Sequence, residues 1–301
     1  MVDPVPPFRL DLTVWALRRR AENIIDRWDG RTYNRAFVLD GKAVELGVTQ
    51  IGTHTRPRLR VIATGPRLRL REKRIVSTLV ERMLSTQVDL TKFYRLAAIQ
   101  AELGGLVRRF RGLKPPRFPT VFEALVNAFA CQQLSLALGV LLLNRLTKTY
   151  GVAVEQIDGR ICAFPRPEDL SAEQPEALGK LGFSRQKARA IVELSRAVSE
   201  RRLDLEKFTE LKGDTLLKQL DALRGVGRWS AEYVSLRGLG RLQVFPGDDV
   251  GAQNKLQRYL GLKKPPSYQA VRRRLAQWGD YAGLIYFHLL LHGLTEKGHL
   301  S

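Results

Sequence analysis

Two adjacent carboxylates, Asp248 and Asp249, follow a proline and a glycine at residues 246 and 247. Proline and glycine favour a turn, and the residues after Asp249 have the pattern of a helix. One acid should therefore be the N-cap of that helix, and we expect Asp248 in this role. The chain has a formal net charge of +20, which attracts polyanions, whereas two adjacent acids repel them. Their presence therefore indicates a chemical function.

A glycine-rich hairpin, Gly225-Val226-Gly227, lies about twenty residues earlier, between two predicted helices. The glycines permit positive φ, and Val226 can insert between the helices. The next helix begins with free N–H groups and a partial positive charge, which together bind phosphate. Arg224 and Arg228 add full charges beside it. A plain turn is the alternative; the charge of the chain favours phosphate binding, which positions a protein on DNA without reading sequence.

The whole chain is strongly basic. Its 301 residues include 50 Lys and Arg against 30 Asp and Glu. Such a protein usually binds a polyanion, most commonly nucleic acid, although the charge can also serve solubility or thermal stability. The basic residues are spread along the chain rather than gathered on one amphipathic segment, which argues against a membrane partner. Hydrophobic residues make up 44%, as in an ordinary folded protein.

The cysteine content limits cofactors and compartment. Cys131 and Cys162 are the only cysteines, so they cannot provide an iron–sulfur cluster, a cysteine-type zinc site or a disulfide framework. Residues 1–11 lack the apolar run of a secretion signal, and the most apolar stretch, residues 284–294, is too short to span a membrane. We expect a monomeric, intracellular protein, cytoplasmic or nucleoid-associated, or nuclear in a eukaryote.

Hydrophobic periodicity predicts two regions: residues 1–100, a small α+β domain with an antiparallel sheet, and residues 101–301, which are helical. In the first, Phe8, Leu10 and Leu12 alternate with polar residues as in a strand, and Asp40-Gly41 is typical of a hairpin turn. The further predicted strands are 33–39, 43–50 and 59–64, and the predicted helices are 72–84, 90–103, 120–131, 135–150, 167–181, 185–200, 214–223, 229–236, 251–259, 268–278 and 281–291.

The hairpin and the acidic turn together resemble a known family. Residues 223–234, followed by residues 246–249, are similar to the signature of the helix-hairpin-helix (HhH-GPD) DNA glycosylase superfamily, and most similar to its AlkA-like 3-methyladenine DNA glycosylases. The resemblance covers roughly residues 110–295 and includes further motifs at 122–126, 132–133, 164–168 and 178–183. It implies a mostly α fold with two helical subdomains flanking a DNA groove. The N-terminal region resembles the family's additional domain only loosely.

This resemblance implies an enzyme of base excision repair that removes alkylated purines, such as 3-methyladenine and 7-methylguanine, from double-stranded DNA. In the family the second acid of the turn is catalytic, which corresponds to Asp249. Breaking an N-glycosidic bond builds positive charge on the sugar; a carboxylate stabilises that charge and helps to orient the attacking water. Arg228 or the following helix N-terminus would keep Asp249 ionised. Trp229 stands where bifunctional members carry lysine, which implies a monofunctional enzyme that uses water.

The resemblance also implies a pocket for a base flipped out of the duplex. Trp229 and Tyr233, four residues apart on one helix face, are its predicted walls. Tyr281 and Trp15 are further candidates, for which packing in the core is an equal alternative. Alkylation at N3 or N7 makes a purine cationic, and electron-rich ring faces attract cations, so stacking alone could select damaged bases.

Gln133 corresponds to the side chain that fills the gap left by the flipped base, and Leu134 is the alternative. If Gln133 has only a structural role, that role is to cap helix ends. The resemblance further implies a monovalent cation, potassium or sodium, bound by main-chain carbonyls of residues 223–228 and not by side chains. Two other functions stay open: an oxidised-base or mismatch glycosylase of the same superfamily, and a DNA-damage-binding protein without catalysis.

Overall fold

The N-terminal region is a helix followed by an antiparallel sheet. The computed structural model describes residues 1–156 and 159–300, without the side chains of residues 155, 156, 159 and 160. The sheet is four-stranded, in the order β1-β2-β3-β4, and the predicted Asp40-Gly41 turn joins its two long strands, pairing Leu39 with Lys42. Its elements are α1 (Leu10–Arg18), β1 (Arg27–Trp28), β2 (Thr32–Leu39), β3 (Lys42–Gln50) and β4 (Leu59–Thr64).

The predicted strand at Phe8–Leu12 is wrong, because helix α1 begins at Leu10. Eight of the nine residues of α1 are buried, polar ones included. A helix that is covered on nearly all sides does not show the one-sided apolar stripe with a period of 3.6 residues from which surface helices are predicted. The short apolar alternation at its start was therefore mistaken for strand periodicity.

The rest of the described chain is mostly helical, with one small hairpin that the periodicity did not predict. That hairpin pairs β5 (Ala153–Gln156) with β6 (Gly159–Cys162), and Val154 and Ala163 pack against Ala36 of the N-terminal sheet. The helices are α2 (Leu70–Leu84), α3 (Thr91–Ile99), α4 (Gly104–Arg109), α5 (Val121–Cys131), α6 (Leu136–Tyr150), α7 (Pro167–Leu170), α8 (Pro175–Lys180), α9 (Arg185–Ser199), α10 (Gly213–Asp221), α11 (Arg228–Arg237), α12 (Val250–Leu260), α13 (Tyr268–Leu275) and α14 (Ala282–Thr295), with 3₁₀ turns at Glu206–Thr209 and Ala276–Tyr281.

The N-terminal and helical regions share their hydrophobic cores. One core cluster joins sheet residues such as Leu46 to Phe129 of α5 and Ile191 of α9. The other joins Leu12 of α1 to α14 residues such as Leu291. Burial of apolar surface across this boundary fixes the N-terminal region against the helices. Among the described residues, no helix is long and apolar enough to cross a membrane.

Candidate active site

Four separate segments meet around a cavity of about 980 Å³. They are the end of α5 with the loop that follows it, the start of α9, the glycine hairpin with the start of α11, and the acidic turn with the start of α12; side chains of α14 close one side. The two motifs singled out in the sequence, about twenty residues apart, thus face the same cavity. Its volume is in the range of pockets that hold small organic groups.

The hairpin has the predicted form. Gly225 has a φ of 80°, Val226 is buried, and helix α11 begins at Arg228 with no side chain capping its N-terminus. The first N–H groups of α11 are therefore free to bind an anion. Arg224 and Arg228 are exposed and form ion pairs with carboxylates, Arg224 with Glu193 and Arg228 with Asp248, both at 2.6 Å.

The two hairpin glycines are expected to respond differently to alanine. At Gly225 a Cβ would have a strained positive φ and would lie 3.1 Å from Cβ of Ala190, whereas at Gly227 nothing lies within 4 Å. We expect Gly225→Ala to lower the free energy of unfolding by about 1–3 kcal/mol. Gly227→Ala should lower it by about 1 kcal/mol or less. Urea denaturation measures both; an equal loss in the two variants would contradict this account of the turn.

Asp249, and not Asp248, is the N-cap of α12. Its Oδ1 accepts a hydrogen bond from the backbone N–H of Ala252 at 2.8 Å, so the prediction that Asp248 caps the helix is wrong. The helix begins at Val250, one residue earlier than expected, which places Asp249 at the capping position. Asp248 instead binds Arg228. The helix N-terminus, and not a direct ion pair with Arg228, therefore places positive charge beside Asp249.

The second oxygen of Asp249 accepts two side-chain hydrogen bonds. The hydroxyl of Tyr286 donates at 2.9 Å and the indole N–H of Trp229 at 3.3 Å. Burial, and then the charge of Asp249, raise the pKa of Tyr286 well above its ordinary value, so this phenol stays protonated and keeps donating. Three donors from three helices thus hold one carboxylate at the cavity wall.

Trp229 and Tyr233 lie together, as predicted for two residues on one helix face. Their rings stack with centroids 5.2 Å apart and an interplanar angle of 24°, and both line the cavity. Trp229 is half-buried and Tyr233 is almost fully buried. A flat, partly accessible aromatic surface of this kind offers a face on which a planar base can stack.

Comparison with known proteins gives the site a family. The model of the family described as "HhH-GPD superfamily base excision DNA repair protein" matches residues 126–280, more than half of the chain. The chain belongs to this superfamily. It is 32% identical over 186 residues to "DNA-3-methyladenine glycosylase 2" of Escherichia coli (strain K12), covering 61% of this chain and 63% of that protein. It is 27% identical over 201 residues to "DNA-3-methyladenine glycosylase" of Bacillus subtilis (strain 168), covering 67% and 66%.

Among solved structures, one that is similar over nearly the whole chain is a "3-methyladenine dna-glycosylase from Archaeoglobus fulgidus". The TM-score is 0.83 at 26% identity, and the match covers 97% of both chains. The sequence matches are shorter: this chain spans between 58% and 66% of the length of the first curated relatives. The resemblance inferred from the hairpin and the acidic turn is confirmed at the level of family and fold.

Two predicted pocket aromatics lie outside the cavity of this HhH-GPD protein. Trp15 stacks on His299 with ring centroids 5.5 Å apart, and Tyr281 packs against Phe93 at 5.7 Å. Neither lines the cavity; both pack with the hydrophobic core, and their role in a base pocket stays a prediction. Trp15 is on a helix buried in the core, and Tyr281 is the residue before α14 and packs against the same core cluster.

Two residues that do line the cavity, Arg19 and Tyr286, were missed in the sequence. Arg19 is the residue after α1, has a φ of 65° and donates to the hydroxyl of Tyr233 at 2.8 Å and to Oδ1 of Asn127 at 2.6 Å. Tyr286 lies in the most apolar stretch of the chain, where a phenol that needs a polar partner was the available signal. No local pattern marks Arg19, because its partner Tyr233 is 214 residues away.

The loop after α5 presents the predicted wedge residues. Gln133 has a φ of 55° and is exposed, and Leu134 is 38% exposed; both line the cavity. The neighbouring Gln132 has a structural role, since its amide donates to the carbonyl of Gly225 at 2.7 Å and to the hydroxyl of Ser230 at 2.5 Å. These bonds tie the loop to the hairpin and leave Gln133 and Leu134 projecting.

The carbonyls of the hairpin fit the implied monovalent cation in their donor chemistry. The Leu223 oxygen accepts from the N–H of Val226 and the Gly225 oxygen accepts from Gln132, so each retains one lone pair. Oxygen ligands suit potassium and sodium. No cluster of three His, Cys, Asp or Glu side chains able to hold a metal occurs among the described residues. The cation stays a prediction.

Proposed function

We propose that this protein is a monofunctional DNA glycosylase that excises alkylated purines of the 3-methyladenine and 7-methylguanine type from double-stranded DNA. The observation that carries the proposal is the fixed carboxylate of Asp249, held at the wall of an aromatic cavity by donors from α11, α12 and α14. The names of the similar proteins in Escherichia coli, Bacillus subtilis and Archaeoglobus fulgidus support it.

In this proposal the hairpin binds the DNA backbone. The free N–H groups at the start of α11 receive a phosphate oxygen, and Arg224 and Arg228 exchange their carboxylate partners for phosphate. If a monovalent cation binds the hairpin carbonyls, it supplies further positive charge for the same phosphate. Gln133 or Leu134 enters the duplex where the damaged nucleotide leaves it.

The flipped base then stacks on Trp229. A cationic base on an indole face gains about 0.5–2 kcal/mol over a neutral one, which favours N3- and N7-alkylated purines. The same positive charge weakens the glycosidic bond, so only a modest further stabilisation is needed for cleavage. Selectivity in this scheme comes from charge and stacking rather than from reading the base edge.

Asp249 stabilises the sugar as the bond breaks. Its carboxylate faces the positive charge that develops at C1′ and stabilises it. The bonds from Trp229 and Tyr286 fix the position of the oxygen before the substrate arrives. Water attacks C1′, since Trp229 replaces the lysine of bifunctional members.

Release of methylated bases from alkylated duplex DNA tests the proposed function. We expect 3-methyladenine and 7-methylguanine to be released faster than oxidised or mismatched bases, measured by chromatography of the free bases. Faster release of a neutral lesion would favour an oxidised-base or mismatch glycosylase. Binding of damaged DNA with no release of any base would favour the non-catalytic alternative.

Tyr286→Phe tests the contact that the sequence did not reveal. Loss of one hydrogen bond to a charged group costs about 1.5–3 kcal/mol, so the single-turnover rate of base release should fall about 10- to 100-fold. Tyr150→Phe is the matched control, because the Tyr150 hydroxyl also donates to a carboxylate, that of Glu173 at 3.4 Å, away from the cavity. Equal rates for Tyr286→Phe and the wild type would show that Asp249 does not depend on this phenol.

A further inference from the structure

A second concentration of positive charge lies in the N-terminal region, between residues 54 and 74. This stretch contains eight lysine and arginine residues and a single acid, Glu72. All eight basic side chains are exposed, and none of them lines the cavity beside Asp249. Six of them are treated together as the basic surface: Arg56, Arg60, Arg67, Arg71, Lys73 and Arg74.

The strand β4 carries part of the basic surface at the edge of the sheet. It is the last strand in the sheet order and pairs along its length with β3. Successive side chains of a strand point to opposite faces. Leu59 is therefore buried, while Arg58 and Arg60 on either side of it are exposed. The outer face of β4 thus begins with cations instead of apolar residues.

Helix α2 continues the basic surface. Its inner side packs into the core through residues such as Val76, and its outer side forms a groove of about 600 Å³ in which Arg71 and Arg74 lie. Leu70 and Ile75 line the same groove and are 68% and 36% exposed. Leucine and isoleucine side chains beside arginines occur in proteins that bind the minor groove of DNA, where they insert at base steps.

The cations of the basic surface are not neutralised within the protein. Among the described residues, none of the six forms an ion pair within 4.0 Å. Glu72, the acid of this stretch, pairs instead with Lys42 of β3 at 2.9 Å. Crowded like charges repel one another and oppose folding. A bound polyanion would remove this repulsion, so the surface is suited to a polyanionic partner.

We propose that the basic surface binds the phosphate backbone of undamaged duplex DNA, separately from the hairpin. This goes beyond base excision, because the surface contacts neither the flipped base nor its sugar. Guanidinium groups suit phosphate oxygens, which they bind in pairs of hydrogen bonds. Counterions released from the DNA make such binding independent of sequence. The surface would hold the protein on DNA while the cavity meets successive nucleotides.

The extent of the charge favours a duplex over an acidic protein segment. The cations begin before β4, at Arg56, and continue through Arg60 and Arg67 to α2. An acidic peptide that filled the groove on α2 would leave those outside the groove unpaired. A long polymer with a regular negative charge can neutralise both parts of the surface at once.

The salt dependence of binding to undamaged duplex tests this proposal. The test variant combines Arg60→Gln, Arg67→Gln, Arg71→Gln and Arg74→Gln, and fluorescence anisotropy of labelled DNA gives the dissociation constant at several salt concentrations. Each lost phosphate contact should reduce the slope of log affinity against log salt by about 0.9, so we expect a slope about 2–4 units less steep and affinity at least about tenfold weaker at low salt. Thermal unfolding checks the fold of the variant.

The matched control removes the same number of charges elsewhere. It combines Lys92→Gln, Arg95→Gln, Lys148→Gln and Arg201→Gln, four exposed residues outside the basic surface and the cavity. The two variants have the same net charge, so overall charge affects both equally. We expect the control to keep the slope of the wild type to within about 1 unit.

Arginine modification locates the contact directly. Phenylglyoxal reacts with exposed arginines, and peptide mass mapping shows which ones bound DNA protects. Undamaged duplex should protect Arg67 and Arg71 of the wild type and leave Arg95 reactive. Equal slopes in the test variant and the wild type, an equal loss in the control, or full reactivity of Arg67 and Arg71 with DNA bound would overturn the proposal; the last result would favour an acidic protein partner.

Base release is measured separately, so that failure of this proposal and failure of the proposed function can be distinguished. With enzyme in saturating excess over alkylated duplex, the test variant should release methylated bases at close to the wild-type rate, because none of its four altered residues lines the cavity. A large loss of that rate at saturation would assign these arginines to the excision step and contradict a separate surface. Absence of base release by the wild type would refute the proposed function alone, since binding to undamaged DNA does not depend on it.

Discussion

Asp249→Asn is expected to lower the single-turnover rate of methylated-base release by about 10²- to 10³-fold, the usual loss when one preorganised electrostatic group is removed from an active site. The substitution removes the negative charge that faces the sugar. It also places an amide next to the indole N–H of Trp229, which can only donate. The rate is measured with enzyme in excess over alkylated duplex, so that product release does not mask the chemical step.

The same variant should leave the fold intact, because asparagine caps a helix about as well as aspartate. The bond from the N–H of Ala252 to the side-chain oxygen can persist. Asp249→Ala loses this cap as well, at a cost of about 1 kcal/mol in the free energy of unfolding. Comparison of the two variants therefore separates the structural role of Asp249 from its chemical role.

Asp248→Asn is the matched control, since it alters the neighbouring acid that pairs with Arg228 at the surface. We expect its rate to change by less than about tenfold, as for an exposed ion pair of small energy. Base release by Asp249→Asn at the wild-type rate would remove Asp249 from the mechanism. A large loss in Asp248→Asn alone would mean that the catalytic acid is the first of the pair.

Local motifs account for the part of this site that could be predicted. The hairpin at 225–227 and the acid at 249 each depend on the backbone of their own segment. The hairpin leads into a helix whose N-terminus has no side-chain cap, and Asp249 caps the start of another helix. Their residue types follow from local conformation, so a single sequence contains the information. The stack of Trp229 and Tyr233 was predictable for the same reason, because a spacing of four places both on one helix face.

Contacts across the fold account for what was missed. Arg19 and Tyr286 face the cavity only because α1 and α14 pack against α5, α11 and α12, and no periodicity specifies which side of a buried helix faces a site. Trp15 was placed in the pocket from its residue type, yet a tryptophan packs equally well in a core. The N-terminal region thus reaches the cavity through a charged residue, Arg19, and not through an aromatic one.

A buried ion network explains how the N-terminal sheet supports this site. Arg35 of β2 donates to Oδ1 of Asp26 at 2.7 Å and to Oε1 of Glu123, in α5, at 2.6 Å. All three side chains are almost fully buried. Burial disfavours the charged guanidinium, but the two carboxylates outweigh it and hold the pKa of Arg35 above its ordinary value. The network joins the sheet to the helix whose far end carries the loop with Gln133.

Arg35→Met is therefore expected to lower the free energy of unfolding by about 3–5 kcal/mol, because it leaves two uncompensated carboxylates in the interior. Without the cation, burial and mutual repulsion raise the folded-state pKa values of both acids above the unfolded ones. The loss should then be smallest in acid, where both acids are protonated in either state, and should grow as the pH rises through the folded-state values. Urea denaturation at several pH values measures this.

Arg58→Met serves as the control, since Arg58 pairs with Asp3 at the surface, where both side chains are more than half exposed. Its cost in the free energy of unfolding should stay within about 1 kcal/mol.

A second test replaces the whole network, with Asp26→Asn and Glu123→Gln added to Arg35→Met. Removing both charges should recover much of the lost stability, because neutral amides are far less costly to bury than unpaired carboxylates. An Arg35→Met protein as stable as the wild type at neutral pH would show that the sheet is held to α5 by apolar packing alone.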